Sequence, residues 1–192
     1  MAVAKISVCV IIKFVSYPPN EWPIRPAEYS SNFDKEILFS AENQNHKEVQ
    51  QYSQLALSKK KSISGLSTSR FSVQLRVNGI FIHQDVMYFR VLLGNNSRIN
   101  YDVDQLRFFI RDQKKSKRTA SQELEIMPLL ATSDISKISD QSEVSLVFAI
   151  PKFTIPEKKN FTLELIEKNG GRHLELNIKN SDLTNLEILS NL

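Results

Sequence analysis

Residues 100–129 read NYDVDQLRFFIRDQKKSKRTASQELEIMPL, and the alternation at the two ends of this stretch decides the fold. Leu106, Phe108 and Ile110 alternate with Arg107, Phe109 and Arg111, the period of two expected where one face of a strand is buried. Leu124 and Ile126 alternate in the same way with Glu123, Glu125 and Met127. If the two strands pair as a hairpin with both apolar sets on one face, Glu123 and Glu125 lie across from the face that carries Arg107 and Arg111. A slip of one residue would turn every side chain over, so the pattern fixes the register. The loop between them holds Lys114, Lys115, Lys117 and Arg118, with Asp112 alone to offset them. Such a charge run is either a solvated tip or a contact for phosphate or an acidic partner surface. No aromatic residue is interleaved with the basic ones to stack bases, as single-strand binders require. The four residues are therefore a candidate contact for a partner first and for nucleic acid second.

Outward from this hairpin the chain reads as further strands. Phe71, Val73, Leu75 and Val77 alternate with polar residues, and Asn78-Gly79 is a hairpin-turn signal before Ile80, Phe81 and Ile82. Val86 to Leu93 is a continuous apolar run, as in a central strand covered on both faces. On the far side Pro128 ends the organising hairpin, and Val144, Leu146, Phe148 and Ile150 alternate. Pro151 and Pro156 put Phe153 to Ile155 at an edge or at a crossing between sheets. Phe161, Leu163 and Leu165 pair with Leu174, Leu176 and Ile178 around the turn Asn169-Gly170-Gly171. One helix is expected, from about 42 to 61, because Val49, Tyr52, Leu55 and Ala56 recur at helical spacing. Lys59, Lys60 and Lys61 then suit the negative end of its dipole. The fold class is mainly β, an antiparallel, immunoglobulin-like β-sandwich with one amphipathic helix.

Residues 1–35 read as an N-terminal strand, with Val8, Val10 and Ile12 in alternation, and an extension whose Pro18, Pro19, Pro23 and Pro26 forbid helix. Within the extension Tyr17, Trp22 and Tyr29 form a candidate partner-docking segment. Residues 36–192 make the sandwich domain. The apolar run from Ile6 to Ile12 is too short to span a bilayer and no small-residue cleavage site follows it.

The chemistry-bearing residue types do not converge. A net charge of +4 over 192 residues is mild and does not demand nucleic acid. Cys9 is the single cysteine, which excludes an intrachain disulfide and a cysteine-rich metal site. His46, His83 and His173 lie on the helix, at a strand end and on a hairpin return, none with a second ligand at metal spacing. Asp102 and Asp104 lack the remaining ligands and the glycine of a calcium loop and are expected to form a turn and cap a strand. No G-x-S-x-G element and no phosphate-cradling glycine loop is present. No catalytic, cofactor-binding or metal-binding residue is assigned. The residues describe a β-rich binding or assembly module.

The strings YDVD, RDQKKSKRTASQE and EKNGGRHLEL, within a stretch from about Gly79 to Asn180, resemble the conjugative transposon TraN family. That resemblance implies a structural subunit of a type IV secretion-like apparatus for conjugative DNA transfer. It also implies other transfer proteins as partners, oligomerisation within an assembly, and a place in the periplasm at the outer membrane. The family has no known catalytic residues to carry over. Members generally carry an export signal and a longer N-terminal β-region, so the chain is expected to be a truncated member, an expressed fragment or one whose start lies upstream, with residues 1–35 as the remnant of that region.

Overall fold

The computed structural model describes residues 32–60, 63, 65–113 and 123–190. The expected N-terminal strand, the Tyr17, Trp22 and Tyr29 segment and the loop of Lys114, Lys115, Lys117 and Arg118 lie outside the described residues. Contacts divide the chain between Leu38 and Phe39, and the packed unit is residues 39–192. In chain order the elements are α1 (Asn32–Ser58), β1 (Ser67–Arg70), β2 (Val73–His83), β3 (Val86–Asn95), β4 (Tyr101–Asp112), β5 (Leu124–Glu125), β6 (Leu130–Ala131), β7 (Lys137–Ile138), β8 (Ser142–Pro151), β9 (Lys159–Glu167), β10 (Leu174–Ile178), a 3-10 helix (Asn180–Asn185) and β11 (Glu187–Ile188).

The strands form two sheets, β1-β2-β3-β8-β6 with β11 beside β2, and β10-β9-β4-β5 with β7 beside β4. Among the described residues all pairings are antiparallel except that of β11 with β2. This is the expected β-sandwich. Its core is the meeting of two inner faces: Val73, Leu75, Val77, Phe89, Val91, Leu146 and Ile150 from the first sheet, Phe108, Phe161, Leu163 and Leu165 from the second. Phe161 of β9 lies 5.1 Å from Phe89 of β3, 5.9 Å from Phe108 of β4 and 4.6 Å from Phe153, centroid to centroid. Phe153 belongs to the segment that carries the chain from β8 in one sheet to β9 in the other, as its flanking prolines suggested.

Asn78-Gly79 is not a hairpin turn, contrary to expectation. β2 runs through it with a bulge between Val77 and Gly79, and the extra residue reverses the alternation. Val73, Leu75 and Val77 face the sandwich core before it and Ile80 after it, while Phe81 turns to the opposite face. The turn that joins β2 to β3 is instead Gln84-Asp85, with Gln84 at φ 50°. Phe71, expected in a strand, sits with Ser72 in the β1–β2 turn, at φ 56° and 60°. Positive φ at both central positions gives the turn that matches strand twist, here without glycine or asparagine.

The bulge creates the seat for α1. Phe81, Tyr88, Val147 and Ala149 on the outer face of the first sheet pack on Tyr52 and Ala56 of the helix. β3 is thus covered on both faces, as its continuous apolar run implied. The Tyr52 ring stacks on that of His83 at 3.6 Å, and the His83 nitrogens meet Leu189 O at 3.1 Å and Glu48 Oε1 at 3.2 Å. Burial pushes the Tyr88 phenol up to about 12, with Glu48 adding to the effect. α1 begins at Asn32, ten residues before the expected start, and ends at Ser58 with no basic residue in its last turn. Lys59 lies just past that turn and pairs with Glu187 at 3.4 Å.

Arg90 satisfies the end of the helix in their place. Its guanidinium is buried and donates to the carbonyls of Ala56 in the last turn of α1 (3.3 Å) and of Lys59 just past it, and to Asn78 O (3.1 Å) and Asn78 Oδ1 (2.8 Å). The last carbonyls of a helix have no partner within it, so this side chain ties the helix end to the bulge. Gly79 leaves room for it: a Cβ there would stand 2.6 Å from Phe81 Cε2 and 3.3 Å from Arg90 Nε. Gly79→Ala is expected to displace both side chains and lower stability by about 1–3 kcal/mol, the usual range for overpacking. Urea unfolding reads this directly.

A second tie closes the other end of the sandwich. Tyr101, fully buried, donates its phenol to Arg172 O at 2.6 Å, and burial raises its pKa. Arg172 in turn donates through Nε to Glu167 Oε1 at 2.9 Å and through Nη2 to Asn100 O at 2.7 Å. The side-chain bonds from Arg172 hold the Glu167 carboxyl below the usual range. A depressed carboxyl contributes stability that is complete above its unfolded pKa, about 4.3, and lost as pH falls through the folded value. Glu167→Gln is therefore expected to flatten the fall in urea midpoint between about pH 5 and 3, while lowering the midpoint at pH 7.

Candidate protein-docking edge

The organising stretch pairs as the sequence predicts, Phe109 opposite Glu125 and Ile110 opposite Leu124. On the outer face Arg107 forks onto Glu125, with Nε and Nη2 each 2.7 Å from a carboxylate oxygen. Arg111 is surrounded by Glu123 (3.2 Å), Glu164 (3.2 Å) and Glu175 (3.3 Å). Its Nε approaches Glu123 without a hydrogen bond, so that contact is ionic only. Phe109 lies between the two guanidiniums, 4.7 Å from that of Arg107 and 4.0 Å from that of Arg111. Glu164 also meets His173 Nε2 at 3.3 Å. These charges lock β5 and β9 to β4. Arg107 and Arg111 are thereby committed to carboxylates.

Past β5 the chain changes sheets. Ile126 N still donates to Phe108 O in the second sheet (2.8 Å), but Leu129 N donates to Ala149 O in the first (2.8 Å). Pro128 stands between them with no N–H to continue the ladder, and a proline also pushes its predecessor away from helical geometry. The switch leaves Leu124, Met127 and Leu129 exposed at 62%, 70% and 52%. Three large apolar side chains are thus exposed within six consecutive residues, a local concentration unlike the single exposed apolar residues that any surface carries.

The departure of this segment also opens β4. On this edge of the strand β7 pairs with Tyr101 and Asp102, Val103 N donates to Ser136 O, and pairing resumes at Phe108. Among the described residues no strand pairs with Asp104 to Arg107 on this side. A cavity of about 370 Å³ lies there, floored by Leu93, Leu106, Leu146 and Phe148 and bordered by Asp104 and Asp134. Asp104 is the extra residue of a second bulge, between Val103 and Gln105. Asp102 and Asp104, expected to form a turn and cap a strand, lie within the first four residues of β4 and not in a turn, and the bulge re-aims the second of them.

Of the residues singled out from sequence, Glu123, Glu125, Arg107 and Arg111 come together, and the three histidines stand on α1, at the end of β2 and before β10. Among the described residues no group of histidine, cysteine, aspartate or glutamate is arranged to hold a metal ion. No described helix is long and apolar enough to cross a membrane. The exposed strip and the gap were missed in the sequence; the available signal was Pro128 directly after an alternating pair of residues too short to finish a strand.

No curated protein matches the chain. Residues 46–188, from the part of α1 that packs on the sheet to the end of β11, match a family described only as a domain of unknown function, and the protein belongs to that family, DUF4138.

Proposed function

We propose that this protein is a non-catalytic assembly component of a conjugative transfer apparatus, a TraN-like subunit that holds other proteins of a type IV secretion-like complex together in the cell envelope. The resemblance of the YDVD, RDQKKSKRTASQE and EKNGGRHLEL strings supplies the biological setting. The observation that carries the reading is the switch segment, whose Leu124, Met127 and Leu129 project from the sandwich beside an unpaired stretch of β4. Apolar side chains placed on an edge already fixed by ion pairs suit a preformed contact surface, with little ordering cost on binding. The reading places the protein in the periplasm at the outer membrane.

Gentle extraction of membranes from transfer-competent cells carrying the tagged full-length protein tests this. Recovery in a large complex with other transfer proteins is the expected result. Recovery as a small soluble species that binds single-stranded DNA in a salt-dependent manner, with loss on replacing Lys114, Lys115, Lys117 and Arg118 by Gln, would transfer the function to the basic loop.

A further inference from the structure

The gap along β4 has three properties together: a stretch of backbone that no described strand pairs, a cavity whose floor is apolar and whose border is polar, and two carboxylates at that border. In an antiparallel strand alternate residues turn their N–H and C=O to the same edge. Because Phe108 O accepts from Ile126 N on this edge, the N–H and C=O of Leu106 point the same way, into the stretch that no described strand pairs. A bulge precedes it. The cavity beneath, about 370 Å³, is within the size range of sites that bury a ligand group. At its border Asp104 and Asp134 make no ion pair among the described residues, and no lysine or arginine lines the cavity. A purely aliphatic occupant would strip water from two unpaired carboxylates, and an acidic one would be repelled.

We infer that this gap receives an extended peptide segment of a partner protein, in which an aliphatic side chain is flanked by lysine or arginine, added to β4 as a short strand between β5 and β7. The aliphatic group enters the cavity over Leu106, Leu146 and Phe148. The backbone of the segment bonds Leu106, and its basic groups meet Asp104 and Asp134. Main-chain pairing supplies affinity in strand addition and the side-chain pocket supplies selectivity. The inference rests on the assembly reading and names the kind of segment the docking edge takes.

The test uses the full-length protein and three capped pentapeptides: Lys-Val-Lys-Val-Lys, the same sequence with glutamate for lysine, and the lysine peptide N-methylated at its backbone amides. Amide NMR spectra should show saturable shifts at Gln105, Leu106 and Asp134 with the first peptide. Binding should be at least tenfold weaker with the other two, and tenfold weaker for the Asp104→Asn, Asp134→Asn double variant, whose unshifted core signals report an intact fold. No saturable shift at these amides, or equal shifts from all three peptides, would overturn the inference. Recovery of the large envelope complex alongside such a negative result would leave the assembly reading standing and remove only the gap as its contact.

Discussion

Phe161→Ala lowers the stability of the sandwich by about 4 kcal/mol, the largest effect expected of any single truncation in the described core. The ring is fully buried and belongs to β9, yet it touches Phe89 across the sandwich, Phe108 on the neighbouring strand and Phe153 in the crossing segment. Its removal takes away the transfer free energy of a buried aromatic, its ring contacts, and the packing that joins the two sheets at once. The three neighbours hang on different elements, so the space cannot close by one side chain turning into it. A cavity that cannot collapse carries the full penalty. Urea unfolding measures the loss as a shift in midpoint, and Leu124→Ala, an exposed position on the switch segment, serves as control with a change within about 0.5 kcal/mol. A shift for Phe161→Ala no larger than the control's would mean that the sheets do not meet there.

Arg90→Leu is expected to cost about 3 kcal/mol, with a local signature. The substitution keeps an apolar stem in a site that also contacts Phe81, but removes the Arg90 donors from the carbonyls of Ala56 and Lys59 and from the Asn78 side chain, while the Asn78 carbonyl keeps its bond from Ile63 N. Each buried acceptor left alone costs about 1–3 kcal/mol, less where water can reach it. Because the lost donors serve the end of α1, amide exchange should rise first in the last turn of the helix, while β9 and β10 stay protected. Arg90→Lys should recover only part of the loss, since an ammonium cannot reproduce the planar fork that reaches helix and bulge together. Uniform exchange throughout the fold would show that Arg90 acts on the core and not on the helix seat.

The elements readable in the sequence were those whose local pattern and tertiary demand agree. The β9–β10 hairpin announces itself through two alternating runs and Asn169-Gly170-Gly171, and Asn169 does adopt a positive φ of 54°. The charge match between Arg107 and Glu125 followed from parity alone. The failures are places where context overrode a short signal. Asn-Gly has the conformational freedom for a tight turn, but at Asn78-Gly79 it serves a bulge, because Gly79 must admit Phe81 and Arg90 to the same space. Phe71-Ser72 makes a turn with residues that carry no turn signature. The early start of α1 at Asn32 extends beyond the apolar repeat that identified it. Arg90 was read as part of an apolar run, since nothing local reveals that a cation inside a central strand faces the end of a helix.

The candidate docking edge was less legible still, for a physical reason. A strand that ends after two residues and crosses to another sheet leaves no periodicity to detect. Exposure of Leu124, Met127 and Leu129 depends on where the rest of the chain runs, and so does the unpaired stretch of β4. The basic residues Lys114, Lys115, Lys117 and Arg118, the sequence's most conspicuous feature, fall between β4 and this segment in chain order.

The most direct measurement is site-specific photocrosslinking in transfer-competent cells, with a photoreactive residue at Met127 on the switch segment and, for comparison, at Phe71 in the exposed β1–β2 turn, at the end of the first sheet away from β6. The account predicts that Met127 yields a discrete crosslinked product containing another protein of the transfer apparatus, and that Phe71 does not. Uncrosslinked monomer at Met127, or the same products from both positions, would contradict it.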